Sequence, residues 1–455
     1  MEKLRYIFTG DEKEIIELVD NYKTEIVPEV QRRQDYAKGN NPAILERRVP
    51  SGSPDNKTPI SYARRMINLV TGYMYKPGLI TYASENQGYL EALQEVFDFN
   101  NEPMQTEQIG RQTSVQGQGY ELFYYEGIGT ARTSDGGVAP VKAMPRFVKV
   151  PVDTVLTIYN FDIVPRATHF IRFYTIKQEQ KEYIEVYDER NIRYYERREN
   201  ARRLDNMGSK PHGFDRVPLV IYENNEDMIG DFSCVVPLID AYDVLMSDSL
   251  NEFDRFAWAY LIMRGFSLTD EQAEKVKHKK AFSLLSPDDT IEFLTKDINH
   301  EFVKFMSEWV RGEIHRQSGI PNLDDYKFGG NASGETLSKW IYLMELFTDP
   351  KESYFKQALR NRIDMITANY PLPGEPDEIE IIMSRNEPDK SLMQADLLQK
   401  YSGHVTQKTL LENFADFVPD AEEEIEALKA EKQANMDMLD LDRFDEEEIE
   451  EDEEE

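Results

Sequence analysis

"PLIDAYDVLMSDSLNEFDRF" (residues 237–256) decides how the rest of the chain is read. Leu238 and Ile239, Tyr242, Leu245 and Met246, Phe253 and Phe256 recur three to four residues apart, with Val235 before them and Tyr260 after. That is the period of one helix face. Asp240, Asp243, Asp248, Glu252 and Asp254 populate much of the remainder. The spacing predicts a long helix over 233–260. A second helical pattern covers 298–317, with Ile298, Phe302, Phe305, Trp309 and His315/Arg316 as landmarks. Between the two lies a compact module at 261–296. On its own the stripe reads as core. Two long helices around a small insertion also read as a projecting hairpin, whose apolar sides require neighbours, other subunits among them.

Upstream, residues 11–37 read as helix interrupted near Pro28, followed by a polar Gly/Pro/Asn-rich stretch at 39–59. "SYARRMINLVTGYMY" (61–75) has helical spacing and stops at Lys76-Pro77-Gly78. Another helix is expected over 87–98. From about Gly119 to Arg198 the pattern turns to short runs rich in aromatic and β-branched residues, such as "THFIRFYTI" and "YIEVYD". These read as one antiparallel sheet with helices before and after it, an α+β class.

Downstream, "FGGNASGETLS" (328–338) runs into a third helix over 335–369, marked by Leu337, Trp340, Met344, Phe347, Phe355 and Leu359. At about 1.5 Å per residue it would extend about 50 Å. Pro350 sits in its middle, so a kink or break is expected there. A strand at 378–385 and helices near 389–401, 407–414 and 420–432 complete the chain.

The loop matches the phosphate-cradling pattern G-x-x-x-x-G-K-[ST] except that Glu335 replaces the lysine. Glutamate would repel phosphate, and the preceding "PNLDDYK" is no buried strand. The plain reading is a loop with Asn331 or Ser333 capping the next helix. The six histidines show no paired spacing, and the one cysteine, Cys234, can make neither a disulfide nor a zinc cluster. No nucleophile elbow is present. Nothing in the sequence reads as catalysis, and no cofactor is expected.

The formal charge is −32, unevenly spread. Asp420 to Glu455 carries nineteen Asp/Glu against three Lys/Arg, a net −16. The final "DEEEIEEDEEE" is expected to be disordered. The basic footprint of a static nucleic-acid binder is missing. The sharpest basic cluster is "KVKHKK" (275–280), with Lys275, Lys277, Lys279 and Lys280, which by itself reads as a solvated helix face. No apolar run approaches the ~20 residues needed to span a bilayer, and the start lacks a signal-peptide core. A soluble intracellular product is expected.

These pieces, in this order, resemble the portal proteins of tailed bacteriophages, of the siphovirus type. The resemblance rests on "NNPAIL", "ARRMINLVTGYMYKPGLIT", "VPVDTVLTIYNFDIVPRATHFIRFY", "RVPLVIYENNEDMIGDF" leading into the opening stretch, "FGGNASGETL", "MSRNEPDKSLMQADLLQK" and the acidic C-terminus. Each fragment alone is weak, but they are colinear over most of the chain.

The resemblance implies a dodecamer, a ring of about twelve identical subunits at one capsid vertex, with a central DNA channel. It implies a portal-type α+β subunit with an α/β wing over 1–232, stem helices over 233–258 and 298–318, and a small α/β clip over 259–297. A tunnel loop over 319–334, a long kinked helix over 335–370, a wing strand over 371–388, a helical crown over 389–433 and an acidic tail over 434–455 follow. Lys327, Phe328, Gly329, Gly330, Asn331, Ala332, Ser333 and Gly334 would line the channel. The glycines would allow several backbone conformations around moving DNA. Tyr242, Leu245, Phe253, Phe256, Phe302, Phe305 and Trp309 would make stem contacts between subunits. The four lysines of the clip would meet docking partners.

Implied partners are the terminase large subunit, a head-tail adaptor, major capsid and scaffolding proteins, and double-stranded DNA in transit during packaging and ejection. The implied location is the virion, at the portal vertex, and the host cytoplasm during assembly, with no membrane. Two alternatives stay open: a capsid-vertex or head-completion scaffold without a channel, and a terminase-like enzyme.

Overall fold

The computed structural model describes residues 3–127, 130–132, 138–140, 143–198, 201–257, 260–264, 290–294, 300–322, 334–387, 406, 408 and 424–430. The chain forms two compact units: 1–322 with 343–386, and 323–342 with 387–455. In the second, the described residues are mainly helical segments at 334–342 and 424–430.

The first unit opens with helices α1 (Glu12–Glu25) and α2 (Val27–Lys38), broken at Ile26. Pro28 sits in the first turn of α2, where its missing N–H costs no hydrogen bond. Gly39 ends α2 at φ +89°, a conformation that a side chain would resist. After α3 (Pro42–Leu45), helix α4 (Tyr62–Met74) buries Met66, Ile67, Val70 and Met74 on one face. Strand β1 (Ile80–Ala83) leads to α5 (Gln87–Asn100) and α6 (Glu102–Gln116). Helix α6 shows no apolar period in the sequence. Its stretch "EPMQTEQIGRQTSVQ" is short of large apolar residues because its inner face is made small: Gly110 lies where an added Cβ would come 2.4 Å from the Tyr75 ring.

The β-rich region holds β2 (Gln118–Glu126), β3 (Thr130–Arg132), β4 (Val138–Pro140), β5 (Met144–Val150), β6 (Val155–Tyr159), β7 (Ala167–Ile176), β8 (Lys181–Tyr187), β9 (Asn191–Arg198), β10 (Asp205–Pro211) and β11 (Leu219–Glu223). These are not one sheet. A five-stranded antiparallel sheet runs β10-β9-β8-β7-β6, a three-stranded one runs β11-β2-β5, and β3 pairs with β4. Pro151 and the 3-10 turn Val152–Thr154 separate β5 from β6 and redirect the chain from one large sheet to the other. Helix α1 covers the larger sheet, where Ile15 and Val19 pack with Ile158, Ile171, Ile184 and Val186. A second cluster includes Val30, Tyr120, Leu122, Val152 and Phe170, drawing on both sheets.

Helix α7 (Val236–Ala257) packs against α8 (His300–Ser318). Just beyond the C-terminus of the first and just before the N-terminus of the second, β12 (Tyr260–Arg264) pairs antiparallel with β13 (Thr290–Leu294). The two helices are therefore joined by an insertion whose ends are zipped together.

Helix α9 (Gly334–Asn369) runs unbroken across Pro350, so no break occurs at the proline. Proline removes one hydrogen bond there, while buried contacts anchor the following turns. Lys351 pairs with Asp231, and both are buried. Strand β14 (Glu380–Met383) returns to pair with β1.

The deepest of these anchors is Arg362, fully buried in α9. Its guanidinium donates to Glu121 Oε1 at 2.8 Å and Oε2 at 2.9 Å, to Glu102 Oε1 at 2.8 Å and to Thr106 Oγ1 at 2.7 Å. Tyr82 donates to Glu102 at 2.7 Å, and Tyr222 to Glu121 at 3.0 Å. Removing the cation alone would leave two carboxylates buried without it. Arg362→Met is therefore expected to cost about 3–5 kcal/mol in urea unfolding monitored by circular dichroism. A loss below about 1 kcal/mol would show that the cluster does not hold α9 to the sheet.

Candidate functional site: a laced helix with an exposed aromatic edge

The acidic residues of α7 have a specific structural use. Tyr36 donates to Asp240 at 2.6 Å, and Asn41 Nδ2 to Asp243 at 2.7 Å. The backbone N–H of Ile60 donates to Asp243 at 2.9 Å, that of Thr58 to Ser247 Oγ at 3.1 Å, and that of Asn56 to Asn251 Oδ1 at 2.7 Å. Arg47 pairs with Asp248 at 2.7 Å, and the Asn56 side chain donates to Asp254. Every second residue of an extended segment thus meets every fourth residue of a helix.

Asn41, Asn56, Thr58 and Ile60 lie in or beside a stretch that reads as a linker from composition. The missed signal was the polar series Asp243, Ser247, Asn251 and Asp254, which keeps helical spacing as regularly as the apolar stripe. Asp240, Asp243 and Asp254 are accordingly bound by their own chain. Burial pushes the Asp243 carboxyl up to about 6, against the hydrogen bonds from Asn41 and Ile60 that favour its charged form.

The expected contact residues divide into two sets. Tyr242 is enclosed within the subunit, its ring 5.3 Å from that of Tyr62, which stands 5.9 Å from His315. It is part of the subunit's own core. Leu245 is half-buried. Phe253 is 70% exposed, and on α8 Phe302, Phe305 and Trp309 are 57%, 60% and 50% exposed. The last three sit at i, i+3 and i+7, along one helix face. Val310 and Ile314 are buried in the same helix. The pair therefore has a packed portion and a separate edge of largely exposed aromatic residues. Phe256 lies in α7, with its side chain outside the described residues.

Lys275, Lys277, Lys279 and Lys280 lie outside the described residues, as do 327–333 of the glycine loop; Gly334 is the first residue of α9. The proposed crown, apart from short described pieces, and the acidic tail also lie outside them. Among the described residues no group of three His, Cys, Asp or Glu is placed to hold a metal ion. No described helix is long and apolar enough to cross a membrane.

Residues 16–438 match the family model described as "Phage portal protein, SPP1 Gp6-like". A portal protein of Bacillus phage SPP1 is 22% identical over 407 residues, covering 84% of this chain and 77% of the relative. A portal protein of Clostridium phage phiCD119 is 27% identical over 221 residues, 47% of this chain and 48% of its own length. Among solved structures, a chain from the neck of an empty GTA particle is 13% identical over 84% of this chain and 91% of that one, at a TM-score of 0.44. One from the neck of a native GTA particle is 12% identical over 77% and 89%, at 0.45. Both overlays are loose.

The Asp243 carboxyl yields a pH dependence of definite sign. Its folded pKa lies above the ordinary value near 3.9, so protonation favours the folded state. Its favourable contribution is full below about pH 4 and is lost as pH rises through about 6, a change of up to about 2–3 kcal/mol. Urea midpoints of wild type and Asp243→Asn should diverge across that window, the wild type gaining relative stability as pH falls. A constant difference from about pH 4 to 7 would contradict it.

Proposed function

The chain belongs to the phage portal protein family, SPP1 Gp6-like, and we propose that it works as one subunit of a ring whose centre is a DNA channel at a capsid vertex. The observation that carries the ring is the exposed edge of Phe253, Phe302, Phe305 and Trp309. Aromatic side chains left in water on two packed helices are the kind of surface that interfaces bury and that dominates their energy. An assembly of about twelve copies is the expected closed form.

In this reading 233–258 and 298–318 are the stem, and 259–297 the clip. Lys275, Lys277, Lys279 and Lys280 meet an acidic face on terminase, and later on the head-tail adaptor. Residues 319–334 form the aperture around the DNA, where Asn331, Ala332 and Ser333 offer small uncharged contacts instead of a phosphate grip. The wing, 1–232 with the strand near 380, faces capsid and scaffolding proteins. The protein is a conduit and docking platform in the virion, first assembled in the host cytoplasm, and the energy for packaging comes from the terminase ATPase.

Phe253→Asp combined with Phe305→Asp should leave the subunit folded, because both side chains are already exposed, and should convert rings to small species by native mass measurement. Intact rings would remove the stem assignment. If rings persist but images show no open centre, the scaffold reading without a channel replaces this one.

The loop is tested separately. Replacing Gly329, Gly330 and Gly334 by valine restricts backbone freedom. Rings should still form and terminase should keep its ATPase activity, while packaged DNA per procapsid falls. Normal packaging would take the loop out of the DNA path.

A further inference from the structure

The face of α6 turned away from its small-residue side has no assigned role. Gln108, Arg111, Gln112 and Gln116 fall at i, i+3, i+4 and i+8, and they line one wall of a cavity of about 580 Å³. Lys38 from the end of α2 and Lys149 from β5 complete its basic lining, with Asp153 as the one acidic member. Three cations against one carboxylate is an inverted balance in a chain with 85 acidic and 53 basic residues.

The interior of this cavity has unmet polar capacity. Arg111 uses one nitrogen on Asn68 Oδ1, at 2.7 Å. Gln116 is 2% exposed, and its Nε2 donates to the Val30 carbonyl at 3.0 Å, while its Oε1 has no hydrogen-bond partner. Lys149 is half-buried beside Arg111, and among the described residues no carboxylate forms an ion pair with its amine. Burial pushes that amine below its usual range, and the Arg111 charge acts in the same direction. Two like charges held together in a partly desolvated cavity raise the free energy of the empty state, and a bound anion would relieve it.

We propose that this cavity binds a phosphate group. A guanidinium fork with two lysine ammoniums supplies several donors and more than one positive charge, which suits a dianionic tetrahedral group better than a single carboxylate. The cavity exceeds the size of bare phosphate, so the group can arrive on a nucleotide or on a nucleic-acid backbone. The elements that line it, α2, α6 and β5, all lie in one compact unit.

The test titrates the full-length protein at low salt with inorganic phosphate, a nucleoside monophosphate and a short DNA duplex, by calorimetry. Wild type should bind inorganic phosphate at about 1 mM. Lys149→Met and Arg111→Gln should each weaken it about fivefold or more, while Lys149→Arg, which keeps the charge, stays within about twofold. Phosphate should also raise the pKa of the Lys149 amine followed by NMR, a readout that a purely structural lysine would not show. Duplex binding weakened by the same variants, and competed by inorganic phosphate, assigns the group to nucleic acid. Duplex binding indifferent to them, with phosphate and nucleotide still responsive, assigns it to a free anion. No binding of phosphate by wild type, or equal binding by Lys149→Met and Arg111→Gln, overturns the site.

Discussion

A single buried guanidinium fixes the middle of this molecule. Arg362 reaches from α9 to Glu121 on β2 and Glu102 on α6, with no exposure to solvent. Bringing one cation and two carboxylates out of water is costly unless the geometry is nearly complete. Here it is: a bidentate fork, a second carboxylate, a threonine hydroxyl and two tyrosine hydroxyls close the network, and the Phe147 and Tyr222 rings lie 4.8 and 5.6 Å from the guanidinium carbon. Such a cluster has one satisfying arrangement. It therefore sets the register of α9 on the sheet more sharply than apolar packing would, and other contacts along that helix, such as Lys351 with Asp231, follow from it.

The same reasoning explains why charge in this chain resists a global reading. The net −32 invites a picture of acidic surfaces repelling DNA and one another. Several carboxylates are instead internal fittings. Asp243 holds the segment before α4, Glu182 meets Lys23 and Arg197 beneath the larger sheet, and Arg385 gathers Glu345 and Glu352 beside α9. Total charge is a poor guide to which carboxylates face outward.

What could be read from sequence was whatever carried period and apolar mass. The stripe on 237–256, the landmarks from Phe302 to Arg316 and the runs from "ELFYYE" to "IRYYER" all became the elements expected. The division into two sheets was hidden because strand composition does not say which neighbour a strand pairs with, and β10, exposed along its whole length, has no buried face to betray it. Helix α6 was hidden because its pattern is written in glycine, threonine and glutamine. For the candidate site the legible part was the aromatic edge. Whether Tyr242 lay inside or outside depended on Tyr62, 180 residues away in sequence. The phosphate-type cavity gave no sequence signal at all, because its cations come from three separate elements.

The lacing of residues 56–60 onto α7 works like a vernier. Two residues of extended chain advance about 6.6–6.8 Å, whereas four residues of helix advance about 6.0 Å. Each rung therefore slips by roughly 0.7 Å, and a run longer than about three rungs would stretch its last hydrogen bond beyond use. The sequence stops the scale where the slip would begin to tell. The next rung on one side would need an N–H from Pro54, which has none, and on the other an acceptor from Ile239, which is a hydrocarbon. It follows that this segment cannot be shortened or lengthened by one residue without turning its donors away from the helix. A change of two residues would slide it by one whole notch.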